Sequence, residues 1–187
     1  MPDAAIYTTS NVSYFANMKR FIISDTHFNH TNIIQYCGRP FADVAEMNSI
    51  LIKNWNETVS SEDIVYHLGD FAFGRKEKIA ALRKLLNGRI YLLLGNHDRR
   101  HSYKFWQDCG FERVYDKAII TDKFFILSHE PVFLDENTSY YNLYGHTHEK
   151  IVGGPHHINC CVEHCDYRPR NLDELVKGYL QSRHSTA

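Results

Sequence analysis

Five short strings in this chain carry side chains that bind cations or move protons. They are Asp25-Thr26-His27, Gly69-Asp70, Gly95-Asn96-His97-Asp98, Ser128-His129-Glu130 and Gly145-His146-Thr147-His148. Together they supply two aspartates, one asparagine and four histidines, with a His97-Asp98 pair beside them. Carboxylate and amide oxygens are hard donors and imidazole nitrogens are borderline ones. A mixed set of this kind suits a hydrolytic centre built on two cations.

The elements around these strings must bring distant residues to one place. Apolar, strand-like runs precede several of them: Arg20–Ser24, Asp63–Leu68, Arg89–Leu94, and Asn142–Tyr144 after a loop over Pro131–Tyr141. Lys117–Ser128 reads as two strands with a turn at Thr121-Asp122-Lys123. His157–Glu163 reads as a further strand. Helices are expected over Thr31–Tyr36, Phe41–Asn56, Arg75–Leu86, Ser102–Asp108 and Asn171–Gln181. Asp43 with Glu46 three residues on is a capping-box pattern. The near-continuous apolar run of Arg89–Leu94 fits a strand covered on both faces. Strand–helix alternation followed by strands alone predicts an α/β fold, a layered α-β-β-α sandwich with mixed sheets. In such sheets function collects at the carboxyl ends of strands, where Asp25, Asp70 and Asn96 fall. Glycine before Asp70, Asn96 and His146 permits tight turns and close backbone approach.

Composition bounds the rest. The 187 residues fit one self-sufficient domain, and 43% hydrophobic residues make it globular rather than disordered. A net charge of -1 gives no basic face for nucleic acid. The 5 cysteines are odd in number and lack the spacing of a secreted disulfide scaffold, so a cytoplasmic location is expected. No apolar run is long enough to span a bilayer. Residues 1–17 are weakly patterned and read as an N-terminal extension, with a single domain over 18–187. Cys160, Cys161, His164 and Cys165 lack paired Cys-x-x-Cys knuckles and read as packed, free thiols rather than a zinc site.

The ordered set of five strings resembles the calcineurin-like metallophosphoesterase superfamily, over the stretch Phe21–His148. Tyr36-Cys-Gly-Arg-Pro-Phe41 and Tyr66-His-Leu-Gly-Asp70 also resemble a compact bacterial and phage subgroup. The resemblance implies one cation on Asp25, His27, Asp70 and His148 and a second on Asp70, Asn96, His129 and His146, with Asp70 bridging. The imidazoles favour manganese, iron, zinc, cobalt or nickel over magnesium or calcium, manganese foremost. The implied reaction is hydrolysis of a phosphoester by a water held between the cations, with His97 assisting and Asp98 orienting His97. His30 and Arg39 are candidate phosphate contacts.

Gly69-Asp-Phe-Ala-Phe-Gly74 and Gly95-Asn-His-Asp98 depart from the protein Ser/Thr phosphatase pattern, so that activity is not expected. Without room for a cap domain, the site should be open. Small or nucleotide-like phosphodiesters come first as substrates, phosphomonoesters second and nuclease action third. A non-catalytic metal-binding scaffold is the reading from another class, and the His97-Asp98 pair argues against it.

Overall fold

A computed structural model of the protein describes residues 18–184. Residues 1–17, expected as an extension, lie outside the described residues. The first sheet has the order β4-β3-β2-β1-β9 and the second the order β5-β6-β7-β8. In the first, β1 (Arg20–Ile23), β2 (Ile64–His67), β3 (Arg89–Leu93) and β4 (Arg113–Tyr115) run parallel, and β9 (Arg170–Asn171) returns antiparallel beside β1. In the second, β6 (Phe125–Leu127), β7 (Tyr141–Tyr144) and β8 (His157–Asn159) are parallel, with β5 (Ile119–Thr121) antiparallel at the edge. Both sheets are mixed, as the α/β layered reading requires.

Side chains alternate across each strand, and β1 shows how this builds two cores. Phe21 and Ile23 join Val65, Ile90 and Leu92 against the helices α2 (Val44–Thr58), α3 (Lys76–Lys84) and α4 (Tyr103–Asp108). Met47, Leu51, Trp55, Ile79 and Trp106 are the helical half of that core. Ile22 faces the other way, with Leu68 and Leu93, onto Phe125, Leu127, Leu143 and Ile158 of the second sheet. The inner strands are thus buried on both faces, which is why they read as unbroken apolar runs. The short helix α1 (Thr31–Tyr36) follows β1, and α5 (Leu172–His184) closes the chain.

Local signals explain the helix starts. The Asp43 carboxylate accepts the N–H groups of Ala45 and Glu46, and Glu46 reaches back to the N–H of Ala42 at 2.6 Å. The box is therefore shifted by one residue, because the glutamate serves Ala42 rather than the cap itself. Ser102 caps α4 by accepting from Phe105.

Three strands differ from expectation. The strand read over His157–Glu163 stops at Asn159, and Val162–His164 forms a 3-10 turn. The Asn159 side chain causes the break, since it caps the N–H of Cys161 and donates to the carbonyls of His148 and Lys150. The edge strands β4 and β9 were absent from the sequence reading. Beyond β8, the N–H of Ser24 donates to Cys160 O at 2.8 Å and that of Val162 to Ser24 O, which stitches the end of β1 to the second sheet.

Candidate metal centre

All five strings lie just beyond the C-terminal ends of β1, β2, β3, β6 and β7, where the two sheets meet. The backbone there is wound unusually. Asp25, His27, Asp70, His146 and His148 all have φ between 47° and 71°. Non-glycine residues hold this left-handed region only when the surroundings impose it, and such strain gathers at functional sites. Two glycines make the approach possible. A Cβ at Gly95 would run into the Asp70 backbone and carboxylate, and one at Gly145 into Ser24 Oγ and Asp25 Oδ2.

Asp70 stands between two groups of donors. Its Oδ2 lies 3.6 Å from His27 Nε2, and its Oδ1 lies 3.7 Å from His129 Nε2. On the first side, Asp25 Oδ1 is 3.7 Å from His27 Nε2 and 4.0 Å from His148 Nε2. These spacings are too long for hydrogen bonds. Asp25 Oδ1 and both His27 ring nitrogens are buried without a hydrogen-bond partner. Orphaned polar atoms of this kind are costly unless a ligand satisfies them. Donors each about 2.0–2.2 Å from a shared cation stand about this far apart. The residues therefore fit a cation, and Asp25, His27 and His148 would hold it together with Asp70.

On the second side, Asn96 Oδ1 lies 2.9 Å from His129 Nε2 and 3.0 Å from His146 Nδ1, and those nitrogens are 3.2 Å apart. Asp70 Oδ1 completes a second donor set. The seven residues expected as ligands thus lie together at the edge where the two sheets meet.

Supporting bonds fix the rings. His129 Nδ1 donates to Leu68 O at 2.8 Å, which leaves Nε2 as the free donor toward the centre. His148 Nδ1 faces Glu163 Oε1 at 3.2 Å, leaving Nε2 toward Asp25. Asp25 Oδ2 accepts from Ser24 Oγ, from the His146 N–H and from Cys161 Sγ. His67, buried behind the site, accepts from the Gly69 N–H, bonds Thr26 Oγ1 at 3.0 Å, and Thr26 in turn donates to Phe71 O. Burial pushes His67 down to about 3, so it stays neutral and ties the β1 loop to the β2 loop.

The same environment tunes the ligands. Burial pushes Asp25 up, but His27, His129 and His148 beside it hold it well below the usual carboxylate range. Burial takes His27 down to about 4 and Asp70 up to about 6. For His148 burial is outweighed by Cys37, Glu163 and Asp25, which raise it to about 10. An ionised Asp25 beside a neutral His27 is the state a cation binds.

Two expectations need correction. Asp98 does not pair with His97. Its buried carboxylate accepts the N–H groups of Asp70 at 2.6 Å, Phe71 at 3.1 Å and Gly95 at 3.0 Å. The 3-10 turn starting at Asp98 sends the two neighbouring side chains apart, leaving His97 about a third exposed. Asp98 therefore positions the β2 and β3 loops, and burial lifts it to about 7 despite those three bonds. Arg39 is no phosphate contact. It is 4% exposed, and its guanidinium donates to Thr26 O, Asp25 O and the Glu163 carboxylate. Those donors are occupied inside the protein.

His97 remains at the mouth, its Nε2 3.8 Å from Asp70 Oδ2 and its backbone N–H donating to Asp70 Oδ1. His30 is partly exposed on the same side, with its ring 4.3 Å from Phe73, and Phe73 lies 5.1 Å from the His97 ring. Phe28, Phe71, Tyr141 and Tyr144 are buried in the protein. Cys160, Cys161 and Cys165 are buried free thiols. Glu163 is absent from the site residues expected from the sequence, and Cys161, expected only as a packed thiol, also bonds Asp25. Since β8 lies parallel beside β7, its C-terminal end falls on the same edge, and that register was the available signal.

Comparison with known proteins agrees with this geometry. Residues 18–160 match the calcineurin-like phosphoesterase superfamily domain. The uncharacterized protein MJ1445 of Methanocaldococcus jannaschii is 38% identical over 175 residues, covering 85% of this chain and 90% of that protein. The gene 66 protein of Mycobacterium phage D29 is 40% identical over 81 residues, 42% of this chain and 39% of its own length. A crystal structure of the protein of unknown function AQ665 from Aquifex aeolicus superposes with a TM-score of 0.66 at 30% identity, over 86% of this chain and 99% of that one. No helix among the described residues is long and apolar enough to cross a membrane. The chain belongs to the calcineurin-like phosphoesterase superfamily, and that membership implies metal-dependent hydrolysis of phosphoesters.

Proposed function

We propose that this protein hydrolyses phosphodiesters of small or nucleotide-like molecules at a two-cation centre. The observation that carries the reading is the position of Asp70, with one carboxylate oxygen facing His27 and the other facing His129, whose Nε2 also meets Asn96 Oδ1. Manganese is the favoured cation, given oxygen and imidazole donors without thiolate in either set. When bound, the cations supply Lewis acidity: they lower the pKa of water and neutralise phosphoryl oxygens.

The chain's own groups do the rest. Asp25, Asp70 and Asn96 hold the oxygen side of the centre, and Asn96, being neutral, leaves net positive charge for the substrate. His97 reaches the open side from β3. Burial and the nearby Arg100 lower its pKa, so it is neutral at pH 7 and still carries one ring N–H. That N–H donates to a phosphoryl or leaving-group oxygen as charge develops there. Arg100 Nη2 stands 3.4 Å from His97 Nδ1, which favours the tautomer with the proton on Nε2. His30 and Phe73 flank this approach, with the exposed ring of Tyr36 beyond His30, a rim suited to an aromatic leaving group or base. The diester reading follows from this open rim, which leaves room for a substituent on both sides of the phosphorus.

The test is paired turnover of a chromogenic phosphodiester and its monoester by metal-stripped protein reloaded with manganese, alongside Asp70→Asn and His97→Ala. Diester preference abolished by both changes is expected. Monoester preference would replace the diester assignment, and no turnover with two cations bound would refute catalysis of either.

A further inference from the structure

Beside the centre lies a second donor cluster that shares His148 with it and adds Cys37 and Glu163, which the proposed reaction does not use. Cys37, His148 and Glu163 each bring one ligand atom to within 4.8 Å of the others. They come from three distant segments: the end of α1, the loop after β7 and the 3-10 turn after β8. Glu163 shows that something is missing. Its Oε1 accepts from Arg39 at 3.0 and 2.7 Å and faces His148 Nδ1. Its Oε2 is buried with no partner, in a side chain only 6% exposed. A buried carboxylate oxygen left unsatisfied is costly, and a bound cation removes the cost. Cys37 is a free thiol at the end of α1.

We propose that Cys37, His148 Nδ1 and Glu163 form a side site for one zinc-class cation, and that filling it lowers turnover. A thiolate, an imidazole and a carboxylate select zinc, cobalt or cadmium over manganese or magnesium, unlike the thiolate-free centre next door. Binding releases the Cys37 thiol proton and the His148 Nδ1 proton to solvent. The Arg39 guanidinium remains beside Glu163, and with only three protein donors the site is open, so it fills after the main centre. His148 is the link, since its Nε2 faces Asp25 and its Nδ1 faces Glu163. A cation on Nδ1 takes the place of the Glu163 contact that orients the ring, and the ring is drawn from the main centre. The binding itself stands apart from the proposed function; only the loss of turnover rests on it.

The experiment is a cobalt titration of the metal-free full chain, followed by absorbance. The expected result is a thiolate-to-cobalt charge-transfer band that is absent for the first two equivalents and grows with a third. Cys37→Ser should bind two equivalents and show no band. In the manganese-loaded protein, Cys37→Ser should need at least tenfold more zinc for half inhibition. No band at three equivalents overturns the proposal. So does a band with the first equivalent, which would make Cys37 part of the main centre, or a band surviving Cys37→Ser, which would point to Cys161. A cobalt band lost in Cys37→Ser, in a protein without phosphoesterase turnover, would uphold the side site and refute the proposed function instead.

Discussion

Asp98 accepts the backbone N–H of Asp70 at 2.6 Å, and the same carboxylate takes the N–H groups of Phe71 and Gly95. The position of Asp70 between the two donor groups is thus set by a fully buried residue. Asp98→Asn keeps the shape but puts an amide NH2 where backbone donors point. The expected cost is about 1–3 kcal/mol of stability, from donors left unpaired, together with weaker metal binding. Thermal melts and metal counts on the variant check this. An unchanged melt with only the pH profile of turnover displaced would restore the His97–Asp98 pairing instead.

His97 stands at the partly exposed mouth, its Nε2 3.8 Å from Asp70 Oδ2, and neither proposed donor set includes it. His97→Ala should keep both cations and lose turnover by about 10²–10⁴-fold, the usual share of one acid–base group. Metal analysis and kcat on the same sample are the check. Parallel loss of cations and rate would make the residue a ligand.

Arg39 separates a structural from a substrate role. Arg39→Ala leaves the buried Glu163 carboxylate with His148 alone beside it and frees two carbonyls in the β1 loop. Breaking a buried pair this way costs about 3–5 kcal/mol. Chemical denaturation should show that loss. A variant as stable as the parent, with only KM raised, would return Arg39 to the substrate.

His148 predicts a pH effect in the metal-free protein. Its pKa is about 6.5 unfolded and about 10 folded. Between these values the folded chain holds a proton that the unfolded chain has released. That stabilisation is complete below pH 6.5 and is lost as pH rises through 10. Melting temperature in chelator should therefore fall from pH 7 to pH 9, and Glu163→Gln should flatten the slope. Equal slopes in parent and variant would remove Glu163 as the cause.

Much of this arrangement was legible in the residues. The strand-end strings were visible because each follows an apolar run, and strand ends are where parallel sheets collect ligands. Asp43 announced its helix through local capping alone. What stayed hidden depended on distant partners. Arg39 is buried because Glu163 arrives from 124 residues away. Adjacency suggested that Asp98 serves His97, whereas a tight turn sends it to backbone donors 27 and 28 residues back. β4 and β9 have 3 and 2 residues, too short for any alternation to show.

The strand ends that meet at the centre belong to two separate sheets. Asp25, Asp70 and Asn96, the oxygen donors, stand on the first; the second brings only imidazoles. A cation held between them would tie the two sheets together at this edge, so adding the cation to chelator-treated protein should raise its melting temperature.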